Sequence, residues 1–184
     1  MIVARLVTNF ALFQAGWFAC VLGAAWGQPW TGAALALAAA AWHVARAARP
    51  GGELALVLIA AAFGAAFDSM LAASGWLVYA SPAPWAGLAP VWIVALWACF
   101  ATTLNVSLGW LKGRHVLAAA LGAAGGPLAY LAGEALGGVT LSARTPALAA
   151  LAAGWAVAMP LLLLIAARLE RRAGVTLPRL PAVH

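Results

Sequence analysis

Apolar stretches, separated by short segments with charged residues, glycine or proline, occupy most of the chain. The stretches that predict helices cover residues 6–26, 30–45, 53–74, 91–111, 116–137 and 146–167. The third could continue to residue 79, and the fifth is predicted to be kinked or broken at Gly125-Gly126-Pro127. Because about 20 apolar residues cross a bilayer, the pattern predicts an all-α membrane protein, a bundle of six transmembrane helices.

Composition supports a single membrane domain. Hydrophobic residues make up 66% of the chain and charged residues 8%, and no long polar segment is available for a second domain. We therefore predict one transmembrane helical domain over residues 1–172 and a short cytoplasmic tail over residues 173–184. Asn9 and Gln14 interrupt the first apolar stretch, which favours a retained helix over a cleaved signal peptide.

The basic residues fall in alternate loops. On one side the six-helix topology collects Arg5, Arg46, Arg49, Lys112, Arg114, Arg168, Arg171, Arg172 and Arg179. The other side has Arg144 alone, with an expected aromatic belt of Trp26, Trp30, Trp76, Trp85 and Trp92. Membrane proteins keep their basic loops in the cytoplasm, so both termini are predicted to be cytoplasmic. Basic residues spread between apolar runs indicate anionic lipid, and not nucleic acid, as the partner.

Asp68 is the most informative residue, because it lies inside the third apolar stretch. It follows Glu53 by about 22 Å of helix, within a hydrocarbon layer about 30 Å thick. A charge at that depth costs at least ~2.5–3.5 kcal/mol, so the carboxyl pairs with a cation or stays protonated. The loop that follows Glu134 keeps Arg144 near Glu134 instead. This favours a neutral Asp68 that is a candidate proton donor.

A second set of residues surrounds Asp68 in the predicted bundle. Tyr130 precedes Glu134 by one helical turn, and Gly126 and Gly133 lie on the same stripe. Such a glycine groove is suited to a lipid headgroup or small ligand, with an acyl chain against the aromatic residues of the fourth stretch. The alternative is a structural acid–arginine pair beside a packing kink. The ligand-binding candidates are Tyr130, Gly126, Gly133, Asn105, Trp97 and Arg144.

Polar residues predicted near the cytoplasmic side form another group: His43, Glu53, Asn9, Asn105, Ser107 and His115. A histidine–carboxylate pair suits proton transfer or a metal, but two ligands do not make a metal site, so none is predicted and the cofactor stays unknown. The alternatives are an acid in a first helical turn, interfacial histidines and an asparagine that joins helices. The catalytic candidates are Asp68, Glu134, His43 and Glu53.

Four motifs resemble a family of small bacterial inner-membrane proteins that is known only as a domain of unknown function. They are Asn9-Phe-x-x-Phe-Gln14-x-x-Trp17-Phe18, Gly64-x-x-x-Asp68, Pro90-x-Trp92-x-x-x-x-Trp97-x-x-Phe100-Ala-x-Thr103-Leu-x-x-Ser107-x-x-Trp110-Leu111 and Gly126-Pro127-x-x-Tyr130-x-x-Gly133. Members of that family are often encoded beside genes similar to those of cyclopropane-fatty-acid synthase and flavin-dependent amine oxidases. The resemblance implies a role in modifying or handling membrane lipids, and it assigns no catalytic residue.

The sequence leaves three functions open. The first is a membrane protein that modifies or handles lipids or fatty acids, as an enzyme or as an accessory subunit. The second is a small proton-coupled transporter or channel, which would work as a homodimer. The third is a membrane scaffold for soluble lipid-modifying enzymes. The expected location is the bacterial cytoplasmic (inner) membrane, with membrane lipids as partners.

Overall fold

A computed structural model describes residues 2–81, 83 and 87–172. Its elements are α1 (Ile2–Ala25), α2 (Pro29–Arg46), α3 (Pro50–Ala73), β1 (Leu77–Tyr79), α4 (Val91–Ala101), α5 (His115–Ala135), β2 (Val139–Leu141) and α6 (Arg144–Arg172). In this part of the chain, α1, α3, α5 and α6 are long and apolar enough to cross a membrane. The protein is thus mostly helical, as predicted. Trp85 and the predicted tail over residues 173–184 lie outside the described residues.

The surfaces of the long helices are apolar. Val7 on α1, Leu58 on α3, Leu128 on α5 and Val157 on α6 are each about 60% exposed. A water-soluble monomer rarely exposes apolar surface on this scale. The outward-facing apolar side chains fit a membrane protein whose helices contact lipid.

The short helix α4 lies at the centre of the bundle. It packs against α1, α2 and α3, while α5 and α6 pack on each other and α6 also contacts α3. Eight of its 11 residues are buried, including Trp92, Trp97 and Phe100. A helix that is apolar all round is typical of such an internal position. Its tryptophans therefore face the neighbouring helices, which sets up the candidate site.

The loops gather at two ends of the bundle. At the first, which we call the strand end, β1 and β2 pair antiparallel with Tyr79 opposite Val139. Gly138 in the same loop lies against Val21, near the end of α1. At the second, the basic end, Arg49 donates to the Glu170 carbonyl and Lys112 pairs with the Glu170 carboxylate. Loops that the sequence predicted on one side of the membrane therefore meet at one end of the bundle.

The third helix does not continue to residue 79, so that reading of the sequence is wrong. It ends at Ala73, and Gly75 follows with a φ of 72°, in the left-handed region that favours glycine. The chain then extends as β1, which pairs with β2. Because the partner strand lies more than 50 residues further along the chain, hydropathy alone did not indicate it.

The fourth helix was predicted to reach residue 111, which is also wrong. It ends at Ala101, where the Thr102 and Thr103 hydroxyls donate to the carbonyls of Cys99 and Phe100, each at 2.7 Å. Turns and a short 3₁₀ segment (Gly109–Leu111) follow. Threonine hydroxyls compete for backbone acceptors in this way, and such backbone is stable at membrane depth only where protein surrounds it.

The fifth helix was predicted to be kinked or broken at Gly125-Gly126-Pro127, but α5 runs unbroken from His115 to Ala135. Pro127 lacks an N–H group, so the carbonyl four residues earlier loses its usual donor. The rest of the helical hydrogen bonding continues on both sides. A break is therefore wrong, and the glycine beside the proline has a packing role that is described below.

Candidate functional site

Three hydrogen-bond donors converge on Asp68, which is 0% exposed. Trp97 Nε1 donates to Oδ2 at 2.6 Å. The hydroxyls of Tyr79, at 2.6 Å, and of Tyr130 donate to Oδ1. Since the donors come from α4, β1 and α5, this carboxyl joins four elements of the fold. Both carboxyl oxygens of Asp68 are hydrogen-bonded, as is usual for a buried polar group.

The Tyr79 phenol lies outside the helices, on β1, and is buried beside this carboxyl. Burial, followed by the nearby Asp68, raises the pKa of Tyr79 well above its ordinary value. The phenol therefore keeps its proton at neutral pH and remains a donor. The proposed protonation of Asp68 itself stays a prediction.

Two indoles stack at the centre of the site, between two glycines. The rings of Trp97 and Trp155 have centroids 4.5 Å apart and an interplanar angle of 15°. A Cβ atom on Gly64 of α3 would lie 2.0 Å from the Trp97 ring, and one on Gly126 of α5 would lie 2.3 Å from the Trp155 ring. At both positions the indole therefore occupies space that the Cβ atom of any other residue would fill. The order Gly64, Trp97, Trp155, Gly126 forms a layered unit that we call the indole stack.

An apolar cavity of about 70 Å³ lies beside the indole stack. Eight of its 14 lining residues are aromatic: Phe13, Trp17, Tyr79, Trp92, Trp97, Phe100, Tyr130 and Trp155. Ala129, Gly133 and Val139 also line it, from α5 and β2. The cavity exceeds the ~10–15 Å³ that one water needs, but a water also needs polar partners. Its walls therefore suit an apolar guest.

The predicted group around Asp68 divides into two. Tyr130 lies beside Asp68 as the sequence suggested, and Trp97 and Gly133 line the cavity. Glu134 instead pairs with Arg144, with Nη1 to Oε2 at 2.7 Å, and also accepts from the backbone N–H of Leu141. Arg144 is 61% exposed, so this pair lies at the surface of the strand end. The prediction that Arg144 pairs with Glu134 and not with Asp68 is confirmed.

The polar residues of the basic end form a network. His43 Nε2 lies 3.2 Å from Glu53 Oε2, and Asn105 donates to Glu53 Oε1 at 2.8 Å. Lys112 donates to Asn105 Oδ1 at 2.6 Å and pairs with Glu170 at 2.8 Å. The network connects α2, α3, the turns after α4, and α6. The ligand candidate Asn105 thus lies at the basic end and is not among the residues that line the cavity.

Asn9 extends this polar layer to α1. Its amide donates to the Thr102 carbonyl at 3.1 Å, and its Oδ1 accepts from the Ser107 hydroxyl at 2.7 Å. These hydrogen bonds stabilise the turns after α4, where they replace the backbone hydrogen bonds of a regular helix. His115, the remaining member of the predicted group, is exposed at the start of α5 and takes no part in these bonds.

Sequence reasoning missed Tyr79 and Trp155. Tyr79 appeared to be the end of a helix, although it is one of two tyrosines in a chain of 184 residues. Trp155 lies in an alanine- and leucine-rich helix with no motif around it. One signal was available in the sequence: a buried Asp68 needs N–H or O–H partners, and tyrosine and tryptophan side chains carry such donors.

Comparison with known proteins places the chain in a family. No match was found among curated proteins or among solved structures. Residues 6–161 match the family model described as "Protein of unknown function (DUF2878)". The match includes α2 to α5, both strands and the indole stack, and the chain therefore belongs to the family of proteins of unknown function DUF2878.

Proposed function

We propose that this protein handles a membrane lipid, and that its aromatic cavity holds the apolar chain of that lipid. The observation that carries the proposal is the cavity itself, walled by eight aromatic residues beside a buried carboxyl. Ligand sites are typically concave, mostly apolar and equipped with a few oriented polar groups. Here those groups are Asp68, Tyr79 and Tyr130.

The chemistry of the walls favours an acyl or isoprenoid chain as the guest. Aromatic side chains offer large contact areas and few polar atoms, and the Asp68 carboxyl already accepts its hydrogen bonds from the protein. A hydrated ion would leave its waters without partners among these residues. The proposal therefore ranks lipid handling, as an enzyme or as an accessory subunit, above a proton-coupled carrier.

The membrane topology that goes with this function has six crossings, with both termini in the cytoplasm of a bacterium and the basic end against the inner leaflet. The meeting of the basic loops at one end of the bundle supports it. The segment of α4 would cross as a short helix continued by turns that other helices enclose. At that end the arginines and Lys112 would attract anionic lipids or soluble lipid-modifying enzymes.

Cysteine labelling tests the topology at two exposed positions. Ser142→Cys, at the strand end, is expected to react with a membrane-impermeant maleimide in intact spheroplasts. His115→Cys, at the basic end, should react only after permeabilisation. The native Cys20 and Cys99 are buried and serve as the unreactive background. The reverse labelling pattern would reject the proposed orientation.

Filling the cavity tests the lipid proposal. Ala129→Phe places a ring in the lining of the cavity and is expected to reduce co-purified lipid at least about fivefold, since a rigid, close-packed core has no other room for the chain. The measurement is native mass spectrometry of protein released from nanodiscs. Leu128→Phe is the matched control, because Leu128 is next to Ala129 in the sequence but is 64% exposed on the outside of α5. Equal lipid retention by the two variants would contradict the proposal.

A further inference from the structure

A second recess, which we call the outer groove, runs along the outside of the bundle between α1 and α2. Its volume is about 460 Å³, and its lining extends from Thr8 to Ala19 on α1 and from Trp42 back to Leu35 on α2. Leu35 and Trp42 are 55% and 47% exposed, so the groove is open to the surroundings of the protein. Except for Thr8, its lining is apolar. Such an open groove is suited to an apolar chain of the surrounding lipid.

The outer groove and the aromatic cavity lie on opposite sides of α1. Phe13 and Trp17 of this helix line the cavity, whereas Thr8, Ala15 and Ala19 line the groove. With 3.6 residues per turn, the two sets point in nearly opposite directions. An occupant of the groove is therefore separated from the cavity by α1 itself.

The register of α1 against α2 brings two arginines to one end of the groove. A Cβ atom on Gly16 would lie 3.7 Å from the Cα atom of Ala36, and a short turn makes the two helices antiparallel. Arg5 comes 11 residues before Gly16, and Arg46 comes 10 residues after Ala36. Both arginines are exposed and lie at about the same level. They therefore flank the end of the groove that begins at Thr8.

Arg46 is positioned at this end by Trp42. Its guanidinium carbon lies 5.5 Å from the centre of the Trp42 ring, and that ring lines the groove. Such a cation–π contact restricts the guanidinium group without using its N–H groups as hydrogen-bond donors. Arginine binds phosphate through two parallel N–H groups. The end of the groove is therefore suited to a phosphate group.

The length of the outer groove matches one leaflet of a membrane. Thr8 and Ala19 are separated by 11 residues of helix, about 16 Å. Half of a hydrocarbon layer about 30 Å thick is about 15 Å. A groove that begins beside two arginines and ends near the middle of the bilayer would accept one acyl chain of a lipid whose headgroup lies at the basic end.

We propose that the outer groove binds an anionic phospholipid of the leaflet at the basic end, with its phosphate at Arg5 and Arg46 and one acyl chain between α1 and α2. Neither helix contains an acidic residue. A second copy of the chain at this face would bring the arginines of both copies together, which like charges disfavour. The inference rests on the proposed topology, in which both helices cross the membrane, and not on a lipid in the aromatic cavity.

The test compares two lipids that differ in the charge of the headgroup. Full-length protein is placed in nanodiscs with equal amounts of palmitoyl-oleoyl phosphatidylglycerol and phosphatidylethanolamine, and the lipids that remain bound are counted by native mass spectrometry. We expect a preference of about fivefold or more for phosphatidylglycerol, since each basic residue near an anionic headgroup contributes about that factor. Equal retention of the two lipids would overturn the proposal.

Arg46→Gln removes the charge that Trp42 positions, and it is expected to lower this preference about fivefold. Arg114→Gln is the matched control, because Arg114 lies 5.6 Å over the Trp110 ring in the same kind of contact, but Trp110 does not line the groove. The preference of the control should stay close to that of the wild type. An equal loss in both variants would indicate a general attraction to the basic end and no defined site.

Filling the groove tests the position of the acyl chain. Ala15→Phe places a ring in the groove and is expected to remove the same retained phosphatidylglycerol, whereas Ala41→Phe, at an exposed position of α2 outside the groove, should keep it. Arg46→Gln added to Ala15→Phe should cause no further loss, because both changes act on one site. Additive losses would contradict a single site. A wild-type dimer that Ala15→Phe dissociates would identify a second copy as the occupant and reject the lipid.

Failure of this site and failure of the proposed function are distinguishable. If Arg46→Gln keeps the preference for phosphatidylglycerol, the outer groove is not the site, even if Ala129→Phe loses its lipid and lipid handling stands. Nanodiscs of phosphatidylethanolamine alone lack the anionic ligand of the groove, so the Ala129→Phe comparison made in them reports on the cavity. If that variant keeps its lipid there while the preference that depends on Arg46 persists, the proposed function fails and the outer groove stands.

Discussion

Asp68→Ala is expected to lower the free energy of unfolding by about 3–6 kcal/mol, one of the two largest losses that we expect from a single substitution. The change removes the acceptor of Trp97, Tyr79 and Tyr130 at once. Each buried donor left without a partner costs about 1–3 kcal/mol, and neighbouring losses do not add fully. The measurement is reversible unfolding in mixed micelles by titration with sodium dodecyl sulfate, followed by circular dichroism.

Two control variants test whether the loss of stability comes from the unpaired donors or from any change at the strand end. Tyr79→Phe removes one donor and leaves two on the carboxyl, so its cost should be about 1 kcal/mol. Arg144→Ala breaks a surface pair in which Arg144 is 61% exposed, and exposed pairs contribute about 0–1 kcal/mol. An Arg144→Ala variant as unstable as Asp68→Ala would mean that the buried acid depends on this arginine, against the geometry described here.

The sequence predicted that Asp68 lies within a long apolar helix and that Arg144 pairs with Glu134, because both follow from distance along one helix and one short loop. It did not predict which groups satisfy Asp68. Two of the three, Trp97 and Tyr79, reach the carboxyl through the packing of α4 and the pairing of β1 with β2. Those contacts depend on tertiary structure, which hydropathy along the chain does not record.

The polar turns after α4 show the same limit. Residues 91–111 are apolar enough to be interpreted as one helix, yet only Val91–Ala101 is α-helical. Hydropathy measures whether a segment can be in a membrane, not whether lipid or protein surrounds it. Because Asn9 and the neighbouring helices surround residues 102–108, their backbone groups find partners without a helix. The sequence thus indicated the polar residues of this region but not their role.

Gly126 and Gly133 were predicted to line a groove for a ligand, but the structure gives Gly126, together with Gly64 on α3, a packing role. Gly64 and Asp68 are one turn apart on α3, and both serve Trp97: the glycine makes room for its ring and the carboxyl accepts from its Nε1. On α5, Gly126 makes room for Trp155, and Tyr130 one turn later donates to Asp68. The spacing of these motifs therefore reflects the packing of the indole stack.

Gly64→Ala is the second substitution with a large expected effect, a loss of about 3 kcal/mol in the free energy of unfolding. Its new methyl group would lie 2.0 Å from the Trp97 ring, far inside van der Waals contact. Overpacking a core costs about 1–3 kcal/mol, and more where the neighbour cannot move. Trp97 is held on its other face by Trp155 and at its N–H group by Asp68, so we expect a cost at the upper end.

The matched control is Gly125→Ala, also inside a long apolar helix, where a new Cβ would meet nothing within 4 Å. That variant should change stability by less than about 1 kcal/mol, towards stabilisation, since alanine restricts the unfolded chain more than glycine does. The same detergent titration serves for both variants. Displacement of Trp97 should also blue- or red-shift the tryptophan emission of Gly64→Ala but not of Gly125→Ala. If both variants are as stable as the wild type, then Trp97 is free to move and the indole stack is not the rigid wall that the cavity needs.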